Sequence, residues 1–103
     1  MKIVINKRYG GFGLSKMALE AYASRKGINP GEWDDRYNYF KDLHEHEITR
    51  NDADLIAVVE SLGPLACGHA AELKIVEIPD GVNWGIHSYD GMEHIYEEHR
   101  TWE

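Results

Sequence analysis

The first fifteen residues, MKIVINKRYGGFGLS, constrain the fold more than any other stretch of the chain. Ile3-Val4-Ile5 is an unbroken run of β-branched residues. Such a run favours an extended strand, and the lack of polar alternation predicts that it is covered on both faces. Gly10, Gly11 and Gly13 follow, and Ser15 then opens a helical pattern as a good N-cap. A strand, a glycine loop and a helix start can together present backbone N–H groups and a helix N-terminus to an anion. The spacing is neither G-x-G-x-x-G nor G-x-x-x-x-G-K-S/T, so no nucleotide fingerprint is present.

The rest of the chain reads as alternating helix and strand signals. After Ser15, the spacing of Ala18, Ala21, Tyr22 and Arg25 predicts a helix to about Lys26, stopped by Gly27. Asn29-Pro30-Gly31-Glu32 is a second start signal, with Asn29 as cap and Pro30 as the first helical residue. Trp33, Tyr37, Phe40 and His44 then fall on one helix face; a loop with a single helical turn is the alternative. This aromatic segment suits core packing or a stacking wall for a base or partner. HEHEITR is a polar link. Asn51 or Asp52 then caps a helix with the stripe Leu55, Val58, Val59 and Leu62, ended by Gly63-Pro64.

Residues 72–78 and 83–88 read as strands, separated by Pro79-Asp80-Gly81. Asp90-Gly91 is a hairpin signal. Met92, Ile95, Tyr96 and His99 also fit a helix face, but the turn and the short remaining chain favour a returning strand over 92–98. The expected fold is therefore α+β: one domain over residues 1–103, with a small mixed or antiparallel sheet of three to four strands, two to three covering helices and a C-terminal β-hairpin.

Composition narrows the function classes. The net charge is −7, from 18 acidic and 11 basic residues. That balance disfavours a general nucleic-acid binder, while Lys7-Arg8 and His99-Arg100 remain local basic spots. No apolar run is long enough to span a membrane, and the N-terminus lacks the apolar core of a signal peptide, so the cytoplasm is expected. The single cysteine, Cys67, excludes an internal disulfide and a cysteine zinc cage.

Candidate chemistry is sparse. His44 and His46 diverge on a helix and share a face only on a strand; His94 and His99 are poorly spaced. There is no H-E-x-x-H, and Cys67-Gly68-His69 lacks the paired C-x-x-C of a zinc deaminase. No metal or cofactor is therefore expected. Ser15, Cys67 and Ser88 are available nucleophiles, but no spacing selects a base and an orienting group for any of them. Ser15 is better explained as a cap, and Cys67 as a small buried residue. The more specific possibility is a phosphate pocket. Lys7 and Arg8 supply charge, Gly10, Gly11 and Gly13 backbone access, and Ser15 the helix start. Tyr9 and Phe12 would stack on a ring, and Arg100 and Trp102 would close the pocket. The competing reading is a tight turn that plugs Phe12 into the core.

Three segments carry a family resemblance: MKIVINKRYGGFGLS, ITRNDADLIAVVESLG and ELKIVEIPDGVNWGIHSYDGMEHIYEEHRTW. Together they resemble a group of small accessory proteins encoded in bacteriophage and prophage genomes. The chain departs from that pattern at Arg8, where such proteins often carry cysteine, and residues 26–47 lie outside the resemblance. It implies no catalytic residues. By analogy it implies a protein directed at host functions, antiviral defence included. The leading expectation is a non-catalytic phage protein that counters a host defence in the host cytoplasm. Its partner would be a small phosphorylated, nucleotide-derived ligand or a host defence protein, with a homodimer or higher homo-oligomer plausible. The alternatives are a small hydrolase or metal-dependent enzyme acting on phosphorylated substrates, and an interaction module of the phage itself.

Overall fold

A computed structural model describes residues 1–97. The expectations for His99, Arg100 and Trp102 lie outside these residues. The fold is α+β, with two helices and six short strands in small antiparallel ladders.

The strand β1 (Lys2–Asn6) is the centre of the molecule. It pairs antiparallel with β4 (Leu73–Glu77), from Lys2 opposite Glu77 to Asn6 opposite Leu73. Ile3, Val4 and Ile5 are all buried, as an apolar run without alternation requires. Val4 faces a core built from Leu19, Tyr22 and Ala23 of α1 (Lys16–Lys26) and Leu55, Val58 and Val59 of α2 (Ala53–Leu62).

The helix boundaries follow the expected caps. Ser15 Oγ accepts the Ala18 N–H at 3.1 Å, and Gly27 closes α1 in the left-handed conformation with φ 71°. Asp52 caps α2 by accepting the N–H groups of Asp54 and Leu55. The strands β5 (Trp84–Tyr89) and β6 (Met92–Glu97) form the hairpin predicted from Asp90-Gly91. Both turn residues have positive φ, 50° and 89°, as a two-residue primed turn demands. The expected strands thus divide between the β1–β4 and β5–β6 ladders, with β6 packed on β1.

The helix expected after Pro30 does not form. Residues 33–40 make a small hairpin instead, β2 (Trp33–Asp34) with β3 (Tyr39–Phe40). Gly31 sits at φ 80°, which breaks helical geometry one residue after the proline. Asp34 Oδ1 accepts the N–H groups of Arg36 and Tyr37, and Asn38 takes φ 55°; together they turn the chain back. Trp33 and Phe40, seven apart and therefore on one face of an imagined helix, are cross-strand partners with ring centroids 4.8 Å apart.

Among the described residues no helix is long and apolar enough to cross a membrane.

Candidate functional site

The glycine loop is held from within. Asn6, fully buried, uses its whole side chain. Its Nδ2 donates to the carbonyls of Arg8 and Gly91, both at 2.6 Å, and its Oδ1 accepts the N–H groups of Glu72 and Arg8. One amide thus ties the loop to the start of β4 and to the β5–β6 turn. The Gly10 N–H donates to the Asp90 carbonyl at 2.9 Å. Gly91 lies so close to the Gly11 backbone that a Cβ at Gly91 would overlap it. A Cβ at Gly68 would lie 2.8 Å from the Gly13 carbonyl carbon. The glycine-rich path allows backbone to approach backbone.

The anion-binding groups expected at the start of α1 are also engaged. Ser15 Oγ donates to the Leu65 carbonyl at 2.6 Å while capping Ala18, and the Ser15 N–H reaches the Ala66 carbonyl. The Leu14 N–H donates to Glu45 Oε2 at 3.0 Å. Burial pushes the Glu45 carboxyl above its ordinary value, with the Leu14 N–H and the nearby Arg50 charge acting in the opposite direction. A phosphate brought to this loop meets that carboxylate. Phe12 is half-buried against the core, and the Arg50 guanidinium lies 3.6 Å from its ring centroid, so one ring face is covered.

Arg50 is the residue that sequence reasoning missed. Its guanidinium donates to both oxygens of Glu93, at 2.6 and 2.8 Å, and to the Val4 carbonyl at 3.3 Å. Glu93, buried, also accepts the Asn6 N–H at 2.8 Å. The sequence signal is partial: strand alternation puts Glu93 on the inner hairpin face with Trp84, Ile86 and Ile95, but it puts Glu97 there too, and only the structure shows which carboxylate is buried and so calls for a cation.

Other candidates stay outside. Lys7, Arg8 and Tyr9 do point away from the closed loop: Arg8 and Tyr9 are exposed, and Lys7 Nζ lies 3.4 Å from His94 Nδ1. His94 is opposite His87 in the hairpin ladder, and Tyr89 is opposite Met92. The outer hairpin face therefore carries His87, Tyr89, Met92, His94 and Tyr96, flanked by Lys7, Arg8 and Tyr9. None of these is acidic; the acids adjacent to them in sequence are Asp90 in the turn and Glu93 and Glu97, which alternate onto the opposite face of the hairpin.

A separate hollow of about 260 Å³ is lined by Leu19, Tyr39, Leu43, His44, Glu45 and His46 among others. The rings of His44 and His46 are 5.7 Å apart. Among the described residues no three His, Cys, Asp or Glu side chains gather as a metal site. Ser15, Cys67 and Ser88 do not line this hollow. Cys67 is only half-buried, not fully buried as expected, and its Sγ accepts the Leu73 N–H at 3.3 Å.

No family model matches the chain, and neither a curated protein nor a solved structure matches it.

Proposed function

We propose that this chain is a phage-encoded accessory protein that acts by binding, without catalysis, and counters a host defence by covering a host protein. The observation that carries the reading is the outer face of the β5–β6 hairpin with Lys7, Arg8 and Tyr9 beside it. In a chain of net charge −7, this face gathers basic and aromatic side chains and no carboxylate of its own. Exposed tyrosines supply large contact area at low entropy cost, and the basic groups select an acidic partner surface. Tyr9 and Tyr89 are 58% and 65% exposed, more than side chains recruited for packing.

A second reading, sequestration of a nucleotide-derived ligand, is favoured by the exposed Arg8 and Tyr9 alone. It places the ligand on the outer surface of the loop beside those two side chains, since the Gly10, Leu14 and Ser15 N–H groups already have partners.

The test is protection of phage plating in a host that carries an active defence. The chain should restore plating, and Tyr89→Glu with Arg8→Glu should abolish the rescue while leaving the melting temperature within a few degrees. Full rescue by that double variant overturns the site. A panel of linear and cyclic nucleotides separates the two readings: a rise in melting temperature with any of them favours sequestration, and no rise favours a protein partner.

A further inference from the structure

We propose that the chain forms a homodimer in which the outer edge of β5 pairs antiparallel with the same edge of a second copy. Among the described residues β5 pairs with β6 alone. The two-residue turn makes Tyr89 and Met92 a hydrogen-bonded pair, so the ladder alternates from there. Trp84, Ile86 and Ser88 fall at the non-hydrogen-bonded positions, and their N–H and C=O groups point outward, away from β6.

This edge lacks the devices that keep edge strands apart. Trp84–Tyr89, WGIHSY, contains no proline, no lysine and no residue of fixed charge, and its register with β6 runs without a bulge. The strands β4 and β6, by contrast, carry Lys74 and Glu77, and Glu93 and Glu97. A second copy of a chain of net charge −7 is repelled at most approaches; along β5 it meets no carboxylate of the strand.

The edge is also self-complementary. A two-fold axis at Ile86 sets Ile86 against the partner's Ile86, and Trp84 against the partner's Ser88. Every outward-pointing group then meets another, for about six backbone hydrogen bonds. The same register keeps faces matched. The half-buried Trp84 and Ile86 stay on the inner side, continuing the apolar hollow of Val76, Ile78, Trp84 and Ile95 toward the partner. The outer side becomes one four-stranded surface that shows the His and Tyr rows of both copies. The dimer rests on the edge alone and stands or falls separately from the proposed host target.

Sedimentation equilibrium from micromolar to millimolar protein tests it. The expected mass at the upper end is twice the 11.8 kDa of one chain. Ser88→Pro removes an outward N–H and no β5–β6 bond, so it should sediment as a folded monomer. Hydrogen exchange on the unaltered chain gives a readout independent of the variant: the Ile86 and Ser88 amides should gain protection with concentration, and the His87 amide should not. A monomer at every concentration, or a dimer whose Ile86 and Ser88 amides exchange as in the monomer, overturns the proposal.

Discussion

The middle and the end of the central β-strand are held by different physics. At its middle, Val4 belongs to an apolar cluster with Leu19, Tyr22, Leu55, Val58 and Val59, which needs shape and little direction. At its end, where the hairpin docks, Asn6, Arg50 and Glu93 form a buried polar clamp with every side-chain group directed at a particular partner. Among the described residues no buried side-chain N or O lacks a hydrogen bond. The apolar cluster tolerates substitutions of similar volume. The clamp is intolerant of losing one member, because a partly satisfied network costs more than an apolar one.

The largest expected effect tests the clamp. Glu93→Ala strands the Arg50 guanidinium and leaves the Asn6 N–H without its acceptor, at a cost of about 3–5 kcal/mol in urea unfolding. Leu55→Ala in the apolar cluster should cost a comparable 2–5 kcal/mol, roughly, by leaving a cavity. The difference lies in rescue. The pair Arg50→Met with Glu93→Leu should recover most of the loss seen in Glu93→Ala, since both charges leave together. A double variant no more stable than the single one breaks the contrast.

A smaller effect separates two glycines of the loop region. Gly91→Ala meets both a positive φ and the Gly11 backbone, whereas Gly11→Ala meets only its own φ of 105°. Strained backbone of this kind costs on the order of 1–3 kcal/mol. Gly91→Ala should therefore lower the melting temperature more than Gly11→Ala. Equal losses would mean that close packing of loop on turn is not what the glycine serves.

Next comes the cap of α2. Asp52→Ala should cost about 1–2 kcal/mol. Burial acts to raise the Asp52 carboxyl. The hydrogen bonds from Lys26, Tyr22, Leu55 and Asp54 outweigh it and hold the group below its ordinary value of 3.8. Its folded value lies below its unfolded one, so its stabilisation is complete above the ordinary value and is lost as pH falls through the folded one. The urea midpoint should fall less steeply with acid in Asp52→Ala than in the parent chain.

The smallest effect has the opposite sign. Burial raises the Glu45 carboxyl above 4.5, so the folded state holds its proton longer than the unfolded chain. Stability should decline as pH rises through that window. Glu45→Gln keeps an acceptor for the Leu14 N–H and should remove the decline. An unchanged midpoint profile would show that the carboxylate is not burdened by its position.

The sequence by itself determined the α+β class, both helices with their caps, the β1 and β4 strands and the Asp90-Gly91 hairpin. Each of these is written in neighbouring residues: a β-branched run, Ser15 or Asp52 ahead of a periodic stripe, a two-residue turn. Local pattern failed at Trp33–Phe40, because a spacing of seven suits one helix face and a short hairpin alike. There Gly31, Asp34 and Asn38 outweighed the periodicity. Of the residues singled out for a ligand, Arg8 and Tyr9 are exposed and Lys7 is half-buried beside His94, whereas the Gly10 N–H, the Gly13 carbonyl and Ser15 are engaged by the chain itself. Only the tertiary structure decided this. Glu93 and Gly91 stand 87 and 85 residues from their partner Asn6, and Arg50 stands 43 from Glu93. Hydrogen bonds over such distances leave no period in the sequence, because their geometry exists only once the hairpin has docked on the central strand.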